Sequence, residues 1–168
     1  KGEFFCDEPT SDYLVTPGNF LIGGGFKQEK FKYYSGPIPN DYVLSQGDLV
    51  VTMTDLSKRA DTLGYSALIP GIPGKSLLHN QRIGLVEFLN DQLDKVFTYF
   101  LLRTAAYRHH VLSTASGSTV KHTSPTKITS FRFRKPPLSI QADIGEKLID
   151  LESKITINGE INQTLEQI

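Results

Sequence analysis

The hydrophobic pattern changes character twice along the chain. Over roughly the first ninety residues, apolar positions fall in short runs punctuated by glycine and proline. Residues 13–16 read as a strand running into the turn Pro17-Gly18, and residues 19–22 as a second strand ended by Gly23-Gly24-Gly25. Residues 31–34 form a third candidate, closed by Ser35-Gly36-Pro37. Residues 49–54, behind Gly47-Asp48, have the length and β-branching of a buried strand. Residues 65–69 and 82–88 read as two more. This spacing predicts a mixed or antiparallel sheet domain.

The period then lengthens. Leu93, Phe97, Phe100, Leu101, Thr104 and Val111 recur at helical steps. They predict one amphipathic helix, capped by Asn90 or Asp91 and carrying His109 and His110 in its last turn. A polar loop at 113–119 follows. Ser124-Pro125 reads as a cap and first helical residue, and the alternation Phe131-Arg132-Phe133-Arg134 as a half-buried strand. After Pro136-Pro137 the pattern changes again. Ile144, Leu148, Leu151, Ile155, Ile161, Leu165 and Ile168 leave one apolar stripe near heptad spacing, interrupted at Asn158-Gly159. A helix from about Ser139 to Glu166 cannot bury that seam on itself and is expected to seek a partner helix. The expected class is therefore α+β, with a mixed or antiparallel sheet domain over residues 1–135 and a coiled-coil helix over 136–168.

Composition narrows the function classes. The chain has 168 residues, 39% hydrophobic and 21% charged, which fits one globular domain with an appendage. No apolar run approaches the roughly 20 residues of a membrane span. The start, Lys1-Gly2-Glu3-Phe4-Phe5-Cys6-Asp7, has no apolar core of a signal peptide, so a cytoplasmic location is expected. One cysteine, Cys6, excludes an internal disulfide framework. The zero net charge hides a segregation. Between Lys95 and Gln141 there is no acid, against Lys95, Arg103, Arg108, Lys121, Lys127, Arg132, Arg134 and Lys135. Beyond it, Asp143, Glu146, Asp150, Glu152, Glu160 and Glu166 face only Lys147 and Lys154. A polyanion suits the first segment, although such a run also makes a plain solvated face.

Catalytic signatures are missing. There is no Walker loop and no G-x-G-x-x-G, and the Gly23–Gly25 cluster lacks phosphate-binding spacing. His109 and His110 are adjacent on a helix and diverge, so they do not form a metal pair. Glu152-Ser153-Lys154 matches half of a nuclease metal motif but has no Pro-Asp partner upstream. No catalytic residue, metal or cofactor is expected. The remaining candidates are polar and basic residues on loops: Ser57, Lys58 and Arg59; Asn80, Gln81 and Arg82; Lys121, His122 and Thr123. Lys58, Arg59 and Lys121 suit phosphates, whereas Asn80, Gln81 and Arg82 suit base edges.

Three segments carry a resemblance. Gly47-Asp48-Leu49-Val50, the small-residue loop Ala115-Ser116-Gly117-Ser118-Thr119, and Pro136-Pro137-Leu138-Ser139-Ile140-Gln141 with the Ile144, Leu148, Leu151, Ile155 stripe stand in order over residues 47–168. Together they resemble the specificity subunits of type I restriction-modification enzymes. Such subunits typically carry two target recognition domains and two spacer helices; this chain has one of each, as a half-subunit or fragment would. The resemblance implies a non-catalytic module that reads one half of a split double-stranded DNA target. It also implies docking to methyltransferase (modification) and restriction subunits. The helix would pair through Ile144, Leu148, Leu151, Ile155 and Leu165 with a second copy or second half-subunit. A DNA recognition region of a fused restriction-methyltransferase is the alternative. A hydrolase using His109 or His122 would need a nucleophile and an acid close by, and a purely structural coiled coil would leave the sheet domain unexplained.

Overall fold

Strand β5, Leu49–Thr52, is buried along its whole length. Val50 pairs with Ala67 of β7 (Ser66–Leu68) on one side and with Leu85 of β9 (Ile83–Leu85) on the other, both antiparallel. A central strand of an antiparallel sheet with both faces covered needs an unbroken apolar run, and Leu49-Val50-Val51 supplies it. The Thr52 hydroxyl is accommodated because it donates to Thr62 O at 2.5 Å and accepts from Gly64 N at 2.9 Å.

The computed structural model describes residues 4–57 and 59–167. Among them a second, five-stranded sheet has the order β1-β3-β2-β8-β4. Its strands are β1 (Phe5–Cys6), β2 (Asp12–Leu14), β3 (Lys32–Tyr34), β4 (Val43–Leu44) and β8 (Ser76–Leu78). Only the β2–β8 pairing is parallel. The core joins the two sheets: Val15, Phe20, Leu44 and Leu77 pack with Val50, Ala67, Ile69 and Ile83. A two-stranded ribbon, β6 (Thr54–Asp55) with β10 (Lys121–His122), continues beyond β5.

Several sequence expectations are corrected. Residues 19–22 are not a strand: Pro17–Asn19 is a 3-10 turn, and Phe20 makes only a single bridge to Phe26. The cause is Asn19, a fully buried amide. It accepts from Thr16 N and donates to Lys27 O and Glu29 O, which fixes a turn where the short apolar run before Gly23-Gly24-Gly25 suggested a strand. The single helix expected around residue 100 is two, α1 (Lys95–Leu101) and α2 (Ala105–Thr114). Asp94, rather than Asn90 or Asp91, caps α1 by accepting from Phe97 N at 2.7 Å, and Thr104 caps α2 by accepting from Tyr107 N. His109 and His110 therefore sit mid-helix. Residues 131–134 keep the expected alternation of half-buried Phe and exposed Arg, but join no sheet. Ser124 does cap α3 (Pro125–Thr129), accepting from Lys127 N.

The chain divides into two units, Lys1–Glu87 with Leu102–Arg132, and Phe88–Leu101 with Phe133–Ile168. The second is built on α4, Leu138–Leu165, which spans 28 residues. α1 packs along a line of α4 through Gln141, Gly145 and Glu152, with Tyr99 Oη donating to Glu152 Oε2 at 2.8 Å. Gly145 permits the close approach, because a Cβ there would lie 3.1 Å from Phe97 N and Asp94 Oδ1. Gln141 is fully buried: its Oε1 accepts from Asp94 N, and its Nε2 donates to Gln92 O and Pro136 O. One side chain thus joins the start of α1, the Pro136-Pro137 elbow and the first turn of α4. The stripe on the adjacent face is progressively uncovered. Ile144 and Leu148 are half-buried, whereas Leu151, Ile155 and Leu165 are 54%, 72% and 61% exposed. Every residue from 153 to 167 is exposed. No helix among the described residues is long and apolar enough to cross a membrane.

Candidate nucleic-acid interface

Met53 breaks the strand between β5 and β6, and both of its backbone groups hold other segments. Its N–H donates to Arg82 O at 2.9 Å, and its C=O accepts from Thr123 N at 3.0 Å. The ribbon pairs Lys121 with Asp55 and His122 with Thr54. Three loops far apart in sequence, near residues 57, 81 and 122, are thereby gathered at the C-terminal end of β5.

Each loop is held by hydrogen bonds of its own or, for the first, also from α2. Asp55 is 4% exposed, and its carboxylate accepts from Ser57 N at 2.6 Å, Thr62 N at 2.5 Å and Thr62 Oγ1 at 2.7 Å. Burial alone would raise its pKa, but the hydrogen bonds from Ser57 and Thr62 prevail and hold the carboxyl below the usual range. From α2, Arg108 donates to Leu63 O and Ala60 O and lies 4.6 Å over the Tyr65 ring. Ala60 takes a left-handed conformation, φ 53°, within this clamp. The 80–82 turn is closed by Arg82 N donating to Asn80 Oδ1 and Ile83 N donating to Asn80 O. In the third loop, Ser116 and His122 exchange two backbone hydrogen bonds of 2.9 Å. Gly117 must be glycine: its φ is 91°, and a Cβ would sit 1.9 Å from Val120 O.

The nine loop residues take different places in this frame. Arg59, Gln81, Arg82 and His122 are exposed, and Lys121 is half-buried. His122 Nδ1 lies 3.3 Å from Thr54 Oγ1. Lys58 lies outside the described residues. Ser57 and Asn80 use their side-chain oxygens within the loops, Ser57 Oγ accepting from Asp61 N at 2.8 Å. Thr123 is buried, and its hydroxyl has no partner among the described residues. A cleft of about 440 Å³ on the five-stranded sheet has Phe5, Tyr34, Tyr42, Asn80 and Gln81 among its lining residues. The described residues hold no cluster of metal-ligating side chains.

Sequence reasoning missed Asp55, Arg108 and Leu56. Asp55-Leu56-Ser57 has the composition of an Asx turn, the one local signal available. Arg108 was legible only as one of several cations in the acid-free segment. In the fold it is tied to carbonyl groups, and Arg103 likewise donates to Gly23 O.

A scan of the chain against family models matches the type I restriction modification DNA specificity domain over residues 22–167. The chain belongs to that family. It is 31% identical over 123 residues to the type I restriction enzyme EcoBI specificity subunit of Escherichia coli, a match covering 73% of this chain and 23% of the relative. It is also similar in fold to a chain of a structure solved to explain complex assembly and conformational transition of the type I R-M system. There the TM-score is 0.60 at 13% identity, covering 94% of this chain and 35% of the other. The chain thus spans about a quarter to a third of the proteins it resembles.

Asp55 sets a pH dependence. A carboxyl with a lowered folded pKa contributes stability above its unfolded value of about 4, and that stability is lost as pH falls through the folded value. Asp55→Asn is expected to lower stability at pH 7 by about 1–3 kcal/mol, since it removes charge-assisted acceptors from buried donors. In denaturant titrations the gap between wild type and variant should narrow below about pH 4. A gap unchanged from pH 7 to pH 3 would contradict this role.

Proposed function

We propose that this domain reads one half of a split double-stranded DNA target, without chemistry of its own, through the loops gathered at Met53. The observation that carries this reading is the convergence itself. In a chain of the DNA specificity family, the exposed Arg59, Gln81, Arg82 and His122 lie on loops whose backbones are tied to the end of β5, which supports this reading. Loops with held backbones suit base reading, because less of the chain must then be ordered on binding. In this reading Arg59 and Lys121, with Lys58, serve phosphates, while Gln81, Arg82 and His122 serve base edges. Ser57, Asn80 and Thr123 position the loops that carry them. Replacing Arg59 and Lys121 together by Ala should weaken binding to all duplexes alike and lower the log–log salt slope by about 2, roughly 0.9 per lost phosphate contact. A double variant with unchanged affinity and slope would place the DNA surface elsewhere.

We further propose that α4 is the spacer, pairing antiparallel with a second such helix through Leu151, Ile155 and Leu165, with Ile144 and Leu148 at the covered end of the seam. Its 28 residues reach about 42 Å at about 1.5 Å per residue. Antiparallel pairing would hold two recognition domains at a fixed separation, as a split target requires. Methyltransferase and restriction subunits would supply the chemistry around this frame. In sedimentation, Leu151→Asp with Ile155→Asp should disperse the assembly and leave the sheet domain folded. A wild-type chain that stays monomeric at high concentration would contradict the pairing.

A further inference from the structure

Leu56 is the residue at the apex of the Asx turn that Asp55 closes on Ser57 N. It is 74% exposed, between the buried Asp55 and the half-buried Ser57. Single exposed leucines are ordinary on protein surfaces. This one differs in how it is held. The backbone on its N-terminal side is in the β6–β10 ribbon, and that on its C-terminal side is pinned by the Asp55 carboxylate and, through Ala60 and Leu63, by Arg108. The backbone of the turn therefore cannot carry Leu56 away from the surface without breaking hydrogen bonds. An apolar side chain is thus presented to solvent on a held backbone with polar residues beside it: Arg59 follows three residues on, and His122 and Lys121 lie on the partner strand of the ribbon.

We propose that Leu56 is a specificity-determining residue that packs on the C5-methyl group of a thymine in the half-site. The inference rests on the DNA-reading function proposed above. A thymine methyl is the apolar feature of a base edge in the major groove, and an aliphatic side chain is its complement. The neighbouring cations would take the flanking phosphates and hold the loop in register. A methyl contact asks for a short aliphatic group on a backbone held at the end of a ribbon, as this turn presents.

The test uses the full specificity chain, in its assembled complex, and a duplex of its methylated target. Each thymine of the half-site is replaced in turn by deoxyuridine, which lacks only the methyl. At one position the wild type should lose about three- to fivefold in affinity, the worth of one buried methyl. Leu56→Ala should bind the thymine duplex with a similar loss and no longer distinguish thymine from deoxyuridine at that position. Failure of the wild type to bind any target duplex would sink the DNA-reading function itself. Specific binding in which no thymine-to-deoxyuridine step depends on Leu56, or a half-site lacking thymine on both strands, would overturn this inference and leave the former standing. Binding in which Leu56→Ala instead abolishes unstacking of a 2-aminopurine base would also overturn it, marking a wedge rather than a methyl contact.

Discussion

The unit that carries the sheets depends on what happens where β5 ends. A buried central strand must have its backbone groups satisfied, and beyond Thr52 the ladder to β7 and β9 stops. Met53 supplies the continuation with both of its own groups, one to Arg82 and one to Thr123. That single residue converts the end of a sheet into a junction of three loops. The buried Asp55 carboxylate and the Arg108 guanidinium then remove the freedom the first loop would otherwise have. The charges that close the loop from within are thus distinct from the charges that point out of it. An ionised buried carboxylate is tolerated because three donors meet it at 2.5–2.7 Å.

The second unit solves a different problem. α1 is short, with seven residues, and a helix of that length is not stable alone. It is held because Gly145 lets it approach α4 closely, and because Gln141 satisfies the amide of Asp94 and two carbonyl groups near the Pro136 elbow. A buried glutamine with all its contacts made specifies one arrangement, whereas an apolar residue there would leave buried polar groups without partners. Beyond Glu152, α4 meets no such partner among the described residues, and Ile155, Ile157 and Ile161 are exposed.

Local signals carried much of this far. The apolar run at 49–52, the Ser124-Pro125 cap and the start of the long helix after Pro136-Pro137 were legible because each is decided by residues within one turn or one strand. The Pro136 to Gln141 motif could be matched to a family, yet the reason for its glutamine appears only in three dimensions. What was not legible depends on distant partners. The short strands β4 and β10 exist because β8 and β6 lie beside them, and nothing in Val43-Leu44 or Lys121-His122 alone forecasts that. The break between α1 and α2 was hidden because apolar residues on either side keep a helical period while Thr104 starts a new helix. The candidate loops stand out in the sequence by residue type alone. Their meeting at Met53 required backbone pairing across up to seventy positions of sequence.

The central claim, that these three loops are the DNA surface, is tested most directly by amide hydrogen exchange on the complete protein with and without its target duplex. The account predicts that protection on DNA binding concentrates at residues 56–62, 80–82 and 116–123. Protection confined to the walls of the cleft around Phe5, Tyr34 and Tyr42, with those loops exchanging as in the free protein, would contradict it.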